Sequence, residues 1–137
     1  MEKIEHIGIA VKNLDIAIPL YEKLLNTPCY KTEEVESEKV KTAFFQTGPN
    51  KIELVAGTHE SSPISKFIDK KGEGIHHIAF KVKDIEAEMV RLAKEGFVLL
   101  NESPKKGADG QLICFVHPKS THGVLIELCQ DDPDFIK

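Results

Sequence analysis

Two short stretches of this chain share the same alternation of apolar and polar positions. Residues 6–15 read HIGIAVKNLD, and residues 77–86 read HIAFKVKDIE. Each begins His-Ile, continues through a short apolar run to Val-Lys, and ends in a turn residue, an aliphatic residue and an acid. Such a run predicts a strand that leads into a helix. The repetition therefore predicts two copies of one structural module.

The apolar spacing after each copy predicts the remaining elements. Helices are expected over 14–26, with Asp15 as N-cap and an irregularity at Pro19, and over 84–95, with Gly96 as the stop. The inward-facing side chains are predicted to be Ile16, Leu20, Tyr21, Leu24 and Leu25 in the first helix, and Ile85, Met89, Leu92 and Ala93 in the second. Strands are predicted at about 39–47, 51–56, 75–82, 97–101, 111–117 and 123–129, with a short helix near 64–70.

These elements predict one α+β domain over residues 1–137. Module one covers about 1–56, a polar linker rich in Ser and Gly covers 57–74, and module two covers about 75–130. Each module has the order β-α-β-β-β and is too small to bury a core alone. The two modules are therefore expected to pack together around a sheet-lined, half-barrel cavity.

Composition narrows the class of protein. The 137 residues are 41% hydrophobic and 29% charged, as in ordinary globular proteins, and the net charge of −4 offers no field for nucleic acid or an anionic membrane. No apolar run approaches the roughly 20 residues of a membrane span, and the N-terminus lacks a signal-peptide layout. Three cysteines without CxxC spacing argue against disulfides and structural zinc. The expectation is a cytoplasmic protein without nucleic-acid or membrane partners.

The two histidines that open the repeats lie on strand faces lined by small residues. Alternate residues of a strand share a face, so His6 lies with Gly8 and Ala10, and His77 lies with Ala79. The opposite face of each strand is bulky and aliphatic and must pack against the helices. A lone histidine on a half-buried strand usually has no special role. The small neighbours here, however, leave room for something other than side chains.

Two glutamates change the interpretation of these faces. Glu53 interrupts the strand KIELVA and Glu127 interrupts GVLIELCQ, each near the end of its repeat and at nearly the same distance from its histidine. If the modules pack about a pseudo-twofold axis, the four side chains converge. Two imidazoles and two carboxylates form a divalent metal site with room for exchangeable ligands. The sequence therefore predicts metal ligation by His6, Glu53, His77 and Glu127.

At these residues the chain resembles the vicinal oxygen chelate, or glyoxalase/dioxygenase, superfamily over essentially its whole length. Three segments are similar to methylmalonyl-CoA epimerases: SPISKFI (62–68), GIHHIAFKV (74–82) and PKKGADGQLICFVHPKSTHGVLIEL (104–128). The resemblance implies Co²⁺, or else Mn²⁺, Ni²⁺ or Zn²⁺, bound by the four ligands above, and a homodimer. Some epimerases carry Gln at the position of Glu53. Internal alignment places His77, and not its neighbour His76, in the ligand position.

The implied reaction removes and returns the proton at C2 of methylmalonyl-CoA. A metal that chelates the two carbonyl oxygens stabilises the enolate, and a carboxylate in a dry pocket is a suitable base. The resemblance gives Glu127 the roles of base and ligand. Some relatives supply a second acid/base from the strand that matches 39–47, where this chain has no carboxylate. Lys41, Thr42, Glu36, Glu38 or a water molecule are the alternatives.

Other polar residues have weaker assignments. Lys105, Lys106 and Lys119 are candidates for point charges that bind the CoA phosphates, with His117 at the substrate mouth; the alternative is that the lysines are ordinary surface residues and that His117 only ends a strand. His59 and His122 lie in polar loops and are expected to be solvated. Two alternatives remain open: glyoxalase I, which moves a proton next to a carbonyl with the same ligand pattern, and a metal-free binding module of the same fold.

Overall fold

The computed structural model describes residues 1–135, and the chain divides into two compact units. Residues 6–76 form one unit; residues 1–5 and the chain from His77 onward form the other. Within the described residues, no helix is long and apolar enough to cross a membrane. The elements follow the order β-α-β-β-β twice, with α2 between the two sets. They are β1 (Lys3–Ala10), α1 (Leu14–Leu25), β2 (Lys31–Val35), β3 (Val40–Thr47), β4 (Asn50–Gly57), α2 (Pro63–Lys71), β5 (Gly74–Lys81), α3 (Ile85–Lys94), β6 (Lys105–Lys106), β7 (Gln111–Val116) and β8 (Ile126–Asp131).

The 6–76 unit has the strand order β2-β3-β4-β1. β1 runs parallel to β4, while β4, β3 and β2 are antiparallel neighbours. One sheet face packs against α1 through a cluster that includes the fully buried Phe45 and Leu54. The other face packs in part against α2, through Ala10, Val40, Val55 and Ile64. Both faces are therefore covered over part of their area, which is why β3 and β4 are apolar on both sides.

The second unit repeats this plan with the order β5-β8-β7-β6. β5 runs parallel to β8, and β8, β7 and β6 are antiparallel neighbours. α3 packs on one face through Ile85, Met89 and Leu92. Cys129 lies in a small cluster on the sheet and Cys114 in the α3 cluster, both fully buried, as expected for cysteines that act as small core side chains.

The predicted α+β class and the repeated β-α-β-β-β module are confirmed. One strand was missed, and one predicted strand does not form. β2 was not predicted, because KTEEV carries charged residues on both sides of an edge strand. The segment 97–101 forms only an isolated bridge, between Leu99 and Val116, and the short strand β6 follows it instead. Phe97 and Leu99 nevertheless pack on the α3 cluster, so the alternation in this segment reflects burial without a continuous ladder.

The first helix differs from its prediction in two respects. Its N-cap is Asn13, whose side chain accepts a hydrogen bond from the Asp15 backbone N–H, so Asp15 is a residue of the first turn. The helix continues through Pro19. Three of the residues predicted to face inward are exposed instead: Ile16, Leu20 and Leu24. Helix α3 ends before Gly96 as predicted, with Gly96 at a φ of 96°, a conformation that favours glycine.

Candidate metal centre

A buried His–Glu pair lies on the parallel strands β1 and β4 of the 6–76 unit. His6 and Glu53 are each 6% exposed, and His6 Nε2 lies 3.5 Å from Glu53 Oε1. The pairing register places Glu53 opposite Gly8, two residues beyond the histidine. Residues two apart on a strand share a face, so the imidazole and the carboxylate project to the same side. Gly8 has no side chain to fill the space between them.

The second unit builds the same pair on β5 and β8. His77 is 4% exposed and Glu127 is 5% exposed, and His77 Nε2 lies 3.9 Å from Glu127 Oε1. Glu127 lies opposite Ala79, again two residues beyond the histidine and again a small residue. The sequence repeat is thus also a repeat of register, and this explains why each copy begins with histidine.

An aromatic residue lies directly across from each glutamate on the antiparallel side. Phe44 is the β3 partner of Glu53, and Phe115 is the β7 partner of Glu127. The Phe115 ring meets the His77 ring edge-on, at 6.2 Å between centroids and 89° between planes. Both aromatic residues share a sheet face with the carboxylate across from them, and Phe115 restricts the rotation of the His77 imidazole. Sequence analysis did not single them out, although they occupy equivalent positions in the two repeats.

The donor chemistry of both pairs fits a divalent transition metal. Imidazole nitrogen and carboxylate oxygen are suitable ligands for such ions. The separations of 3.5 and 3.9 Å are longer than a normal hydrogen bond. They are close to the roughly 3.0–3.4 Å between adjacent ligands that each lie about 2.1 Å from one ion. A buried carboxylate is costly without a compensating charge. Each unit therefore supplies one imidazole and one carboxylate that suit such an ion.

The residues predicted to meet the substrate lie in three different settings. Lys105 is the nearest to a His–Glu pair, since its Nζ lies 5.7 Å from the centre of the Phe115 ring. Lys106 is largely exposed, with Nζ 3.9 Å from Asp132. His117 caps the short 3-10 helix Pro118–Thr121, where its Nδ1 accepts a hydrogen bond from the backbone N–H of Lys119. Of these four residues, Lys105 alone packs on an aromatic residue of the site.

The other histidines have separate roles in the fold. His76 meets the Phe67 ring of α2 edge-on at 4.8 Å between centroids, while its neighbour His77 is in the buried pair. His59 accepts a hydrogen bond at Nδ1 from the Ser61 backbone N–H. His122 ends the short 3-10 helix in a left-handed conformation. The alternation of β5 therefore separates His76 from the pair, as the internal alignment had suggested.

The fold and the doubled pair agree with the comparison to known families. The model of the Glyoxalase/Bleomycin resistance protein/Dioxygenase superfamily matches residues 5–115. The chain belongs to this superfamily.

Its relatives within the superfamily include methylmalonyl-CoA epimerases, so the resemblance noted from the sequence is confirmed. The chain is 40% identical over 131 residues to the ethylmalonyl-CoA/methylmalonyl-CoA epimerase of Cereibacter sphaeroides, an alignment that covers 93% of this chain and 97% of that protein. The crystal structure of methylmalonyl-CoA epimerase from Mycobacterium tuberculosis is 37% identical, with a TM-score of 0.91 and coverage of 96% and 89%. The uncharacterized protein YqjC of Bacillus subtilis is 40% identical over 134 residues, with coverage of 98% and 96%.

Proposed function

We propose that this protein is a metal-dependent isomerase that interconverts the (R) and (S) forms of methylmalonyl-CoA. One observation carries the proposal: each unit holds a buried His–Glu pair in the same register, within a family whose named relatives include methylmalonyl-CoA epimerases. Retention of both pairs supports a catalytic metal site and argues against the metal-free binding module. Cytoplasmic location and a homodimer are further parts of this proposal and rest on sequence composition and on the family resemblance.

The two pairs are proposed to share one divalent ion, with His6, Glu53, His77 and Glu127 as its ligands. Co²⁺ is the first choice, and Mn²⁺, Ni²⁺ and Zn²⁺ have compatible ligand preferences. When bound, such an ion supplies positive charge that stabilises the negative charge on the substrate's carbonyl oxygens as C2 loses its proton. Phe115, which packs against His77, helps to hold that imidazole in a ligating orientation.

Glu127 is proposed to be the base for one face of the substrate. Its carboxylate takes the C2 proton, and the bonding electron pair moves onto the thioester and carboxylate oxygens. A proton delivered to the opposite face of C2 completes the inversion. Burial of Glu127 beside Phe115 removes water that would otherwise stabilise the free carboxylate, which favours proton transfer to it. A bound cation would oppose this effect, so Glu127 would act as the base only with its carboxylate free of the ion.

Lysines on β6 and in the short 3-10 helix are proposed to bind the CoA phosphates. Lys105 and Lys106 form β6, and Lys119 lies in the 3-10 helix that His117 caps. Ammonium groups are suitable point charges for phosphates. Because Lys105 lies over the Phe115 ring, it has the strongest structural support of the three.

The test begins with protein reconstituted with Co²⁺ and with each pure epimer of methylmalonyl-CoA. We expect either epimer to be converted to an equal mixture of the (R) and (S) forms. The conversion is monitored by circular dichroism or by a coupled mutase assay. Conversion of the methylglyoxal–glutathione adduct to S-lactoylglutathione, with methylmalonyl-CoA unchanged, would assign the protein to glyoxalase I. Absence of any retained transition metal by elemental analysis, together with no turnover, would favour the binding module.

A further inference from the structure

Inversion at C2 requires a second acid/base, and the residues suggested for it from strand 39–47 are poorly placed. Lys41 is exposed and lies on the opposite face of β3 from Thr42, as expected for adjacent residues of a strand. The Thr42 hydroxyl donates a hydrogen bond to the backbone carbonyl of Glu33 at 3.2 Å. Its proton is thus used to join β3 to β2. Neither side chain is suited to deliver a proton to substrate.

The two upstream glutamates suggested from the sequence lie beyond the strand ladder. Glu36 and Glu38 belong to a short 3-10 helix that connects β2 to β3. The ladder between these strands ends at the pair Val35 and Val40, before that helix. Glu36 is exposed. Both carboxylates lie at the tip of the hairpin, outside the paired residues of β2 and β3.

The strand that sequence analysis missed brings a different carboxylate to this face. Glu33 in β2 is the direct cross-strand partner of Thr42 in β3. Two residues along β3, Phe44 is the cross-strand partner of Glu53. Because alternate residues share a face, Glu33, Thr42 and Glu53 lie on one side of the sheet.

Burial along β2 supports this orientation. Lys31, Glu33 and Val35 are half-buried, while Thr32 and Glu34 between them are exposed. Val35 packs against the cluster that contains Val40 and Val55, on the same face as Glu53. Glu33 is therefore the one carboxylate among the inward residues of β2. Its neighbour Glu34 is exposed on the opposite face.

The separation of Glu33 from the metal-ligating pair suits a substrate between them. Two strand spacings of about 4.8 Å and an offset of two residues of about 3.4 Å each place the Cα atoms of Glu33 and Glu53 about 12 Å apart. Glu33 also forms an ion pair with Lys31 at 3.2 Å, with 30% of its side chain accessible. The Glu33 carboxyl group is therefore accessible to water for proton exchange, although its side chain lies on the same sheet face as Glu53.

We propose that Glu33 is the second acid/base of the epimerisation; this rests on the proposed function. In one direction the carboxylate of Glu127 takes the C2 proton, and the carboxylic acid of Glu33 gives its proton to the opposite face of C2. Glu33 is left as a carboxylate and Glu127 as a carboxylic acid, and both re-equilibrate with solvent. The reverse direction begins with the carboxylate of Glu33.

The test compares Glu33→Gln with Glu34→Gln, its exposed neighbour on the opposite face of the same strand. Each Co²⁺-loaded variant is given each pure epimer in D₂O, and deuterium at C2 is followed separately from inversion. Glu33→Gln should slow inversion by about 100-fold or more. One epimer should still exchange its C2 proton through Glu127, without inverting, and the other should lose exchange. Glu34→Gln should match the wild type, and Glu33→Asp should recover part of the inversion rate.

Results that overturn the assignment of Glu33 are distinguishable from failure of the proposed function. Wild-type inversion in Glu33→Gln would show that the carboxylate is not used. Equal loss of exchange from both epimers, or a changed metal content or melting temperature, would show a structural role instead. A wild-type protein that neither exchanges nor inverts methylmalonyl-CoA would refute the proposed function itself, and this outcome is recognisable before any variant is made.

Discussion

Replacement of Glu127 by Gln should separate proton transfer from metal binding. Gln has nearly the same shape as Glu and keeps a carbonyl oxygen for ligation, but it cannot accept the C2 proton. Glu127 is 5% exposed, with His77 and Phe115 beside it, so solvent has little access to replace the lost base. Loss of a positioned base costs about 10²–10⁴ in rate. Even the lower limit corresponds to about 2.7 kcal/mol of activation free energy.

Glu53→Gln is the matched control for Glu127→Gln, because Glu53 is the equivalent residue of the other repeat. It is 6% exposed, lies opposite Gly8 as Glu127 lies opposite Ala79, and has its own histidine at 3.5 Å. Glu53→Gln removes the same charge from an equivalent register position. We expect it to keep its metal and much of its activity, since the resemblance to epimerases allows Gln at that position.

The assay measures turnover of methylmalonyl-CoA together with metal content by elemental analysis and the melting temperature. The predicted result is retained metal in both variants, with turnover reduced at least about 10²-fold in Glu127→Gln alone. Equal loss of activity in the two variants, at equal metal content, would mean that neither carboxylate is the base. Loss of the metal from Glu127→Gln would show that its charge is required for ligation, and the activity would then have to be compared at saturating metal.

Three other predictions concern ligation, capping and the core. His6→Ala and His77→Ala should each abolish tight Co²⁺ binding in a calorimetric titration, whereas His76→Ala should retain it; the reverse result would shift the ligand register by one residue. Asn13→Ala should lower the free energy of unfolding in urea by about 1 kcal/mol through loss of the α1 cap, and an unchanged value would exclude the capping role. Burial raises the pKa of the Cys114 thiol. The folded state then holds the thiol proton more tightly than the unfolded state, so wild-type stability should fall as pH rises above about 9. Cys114→Ala should lack this fall in stability at high pH. Identical profiles of unfolding free energy against pH in the two proteins would refute the assignment to Cys114.

The sequence was most informative where burial and periodicity agree. The His-Ile repeats marked β1 and β5, and the glutamates in KIELVA and GVLIELCQ marked β4 and β8. Each of these strands has a bulky face toward a helix and a face with small or polar residues. The alternation of the two residue types can therefore be recognised in the sequence. The repeat predicted that the histidine and glutamate of each module occupy equivalent positions, whereas the parallel pairing of the first and fourth strands is seen in the structure alone.

The sequence was least informative at edges and on helices with apolar residues all around. β2 is a half-buried edge strand whose inward residues are mostly charged, so its periodicity does not appear as hydrophobicity. Helix α1 carries aliphatic residues on two faces, and only packing decides that Ile18 faces the core while Ile16 does not. Asn13 and Asp15 are both good N-caps, so residue type alone could not choose between them. Because β2 was missed, Glu33 was missed with it.

Exchange of the C2 proton in D₂O shows whether this protein performs metal-dependent proton transfer on methylmalonyl-CoA. The protein is incubated with Co²⁺ and methylmalonyl-CoA, and the C2 position is followed by NMR or mass spectrometry, before and after removal of the metal by a chelator. For a metal-dependent epimerase we expect deuterium to enter C2 in the presence of metal, to stop entering after chelation, and to enter again when Co²⁺ is restored. Methylmalonyl-CoA that stays unlabelled beside rapid formation of S-lactoylglutathione, or labelling that is unaffected by chelation, would contradict this expectation.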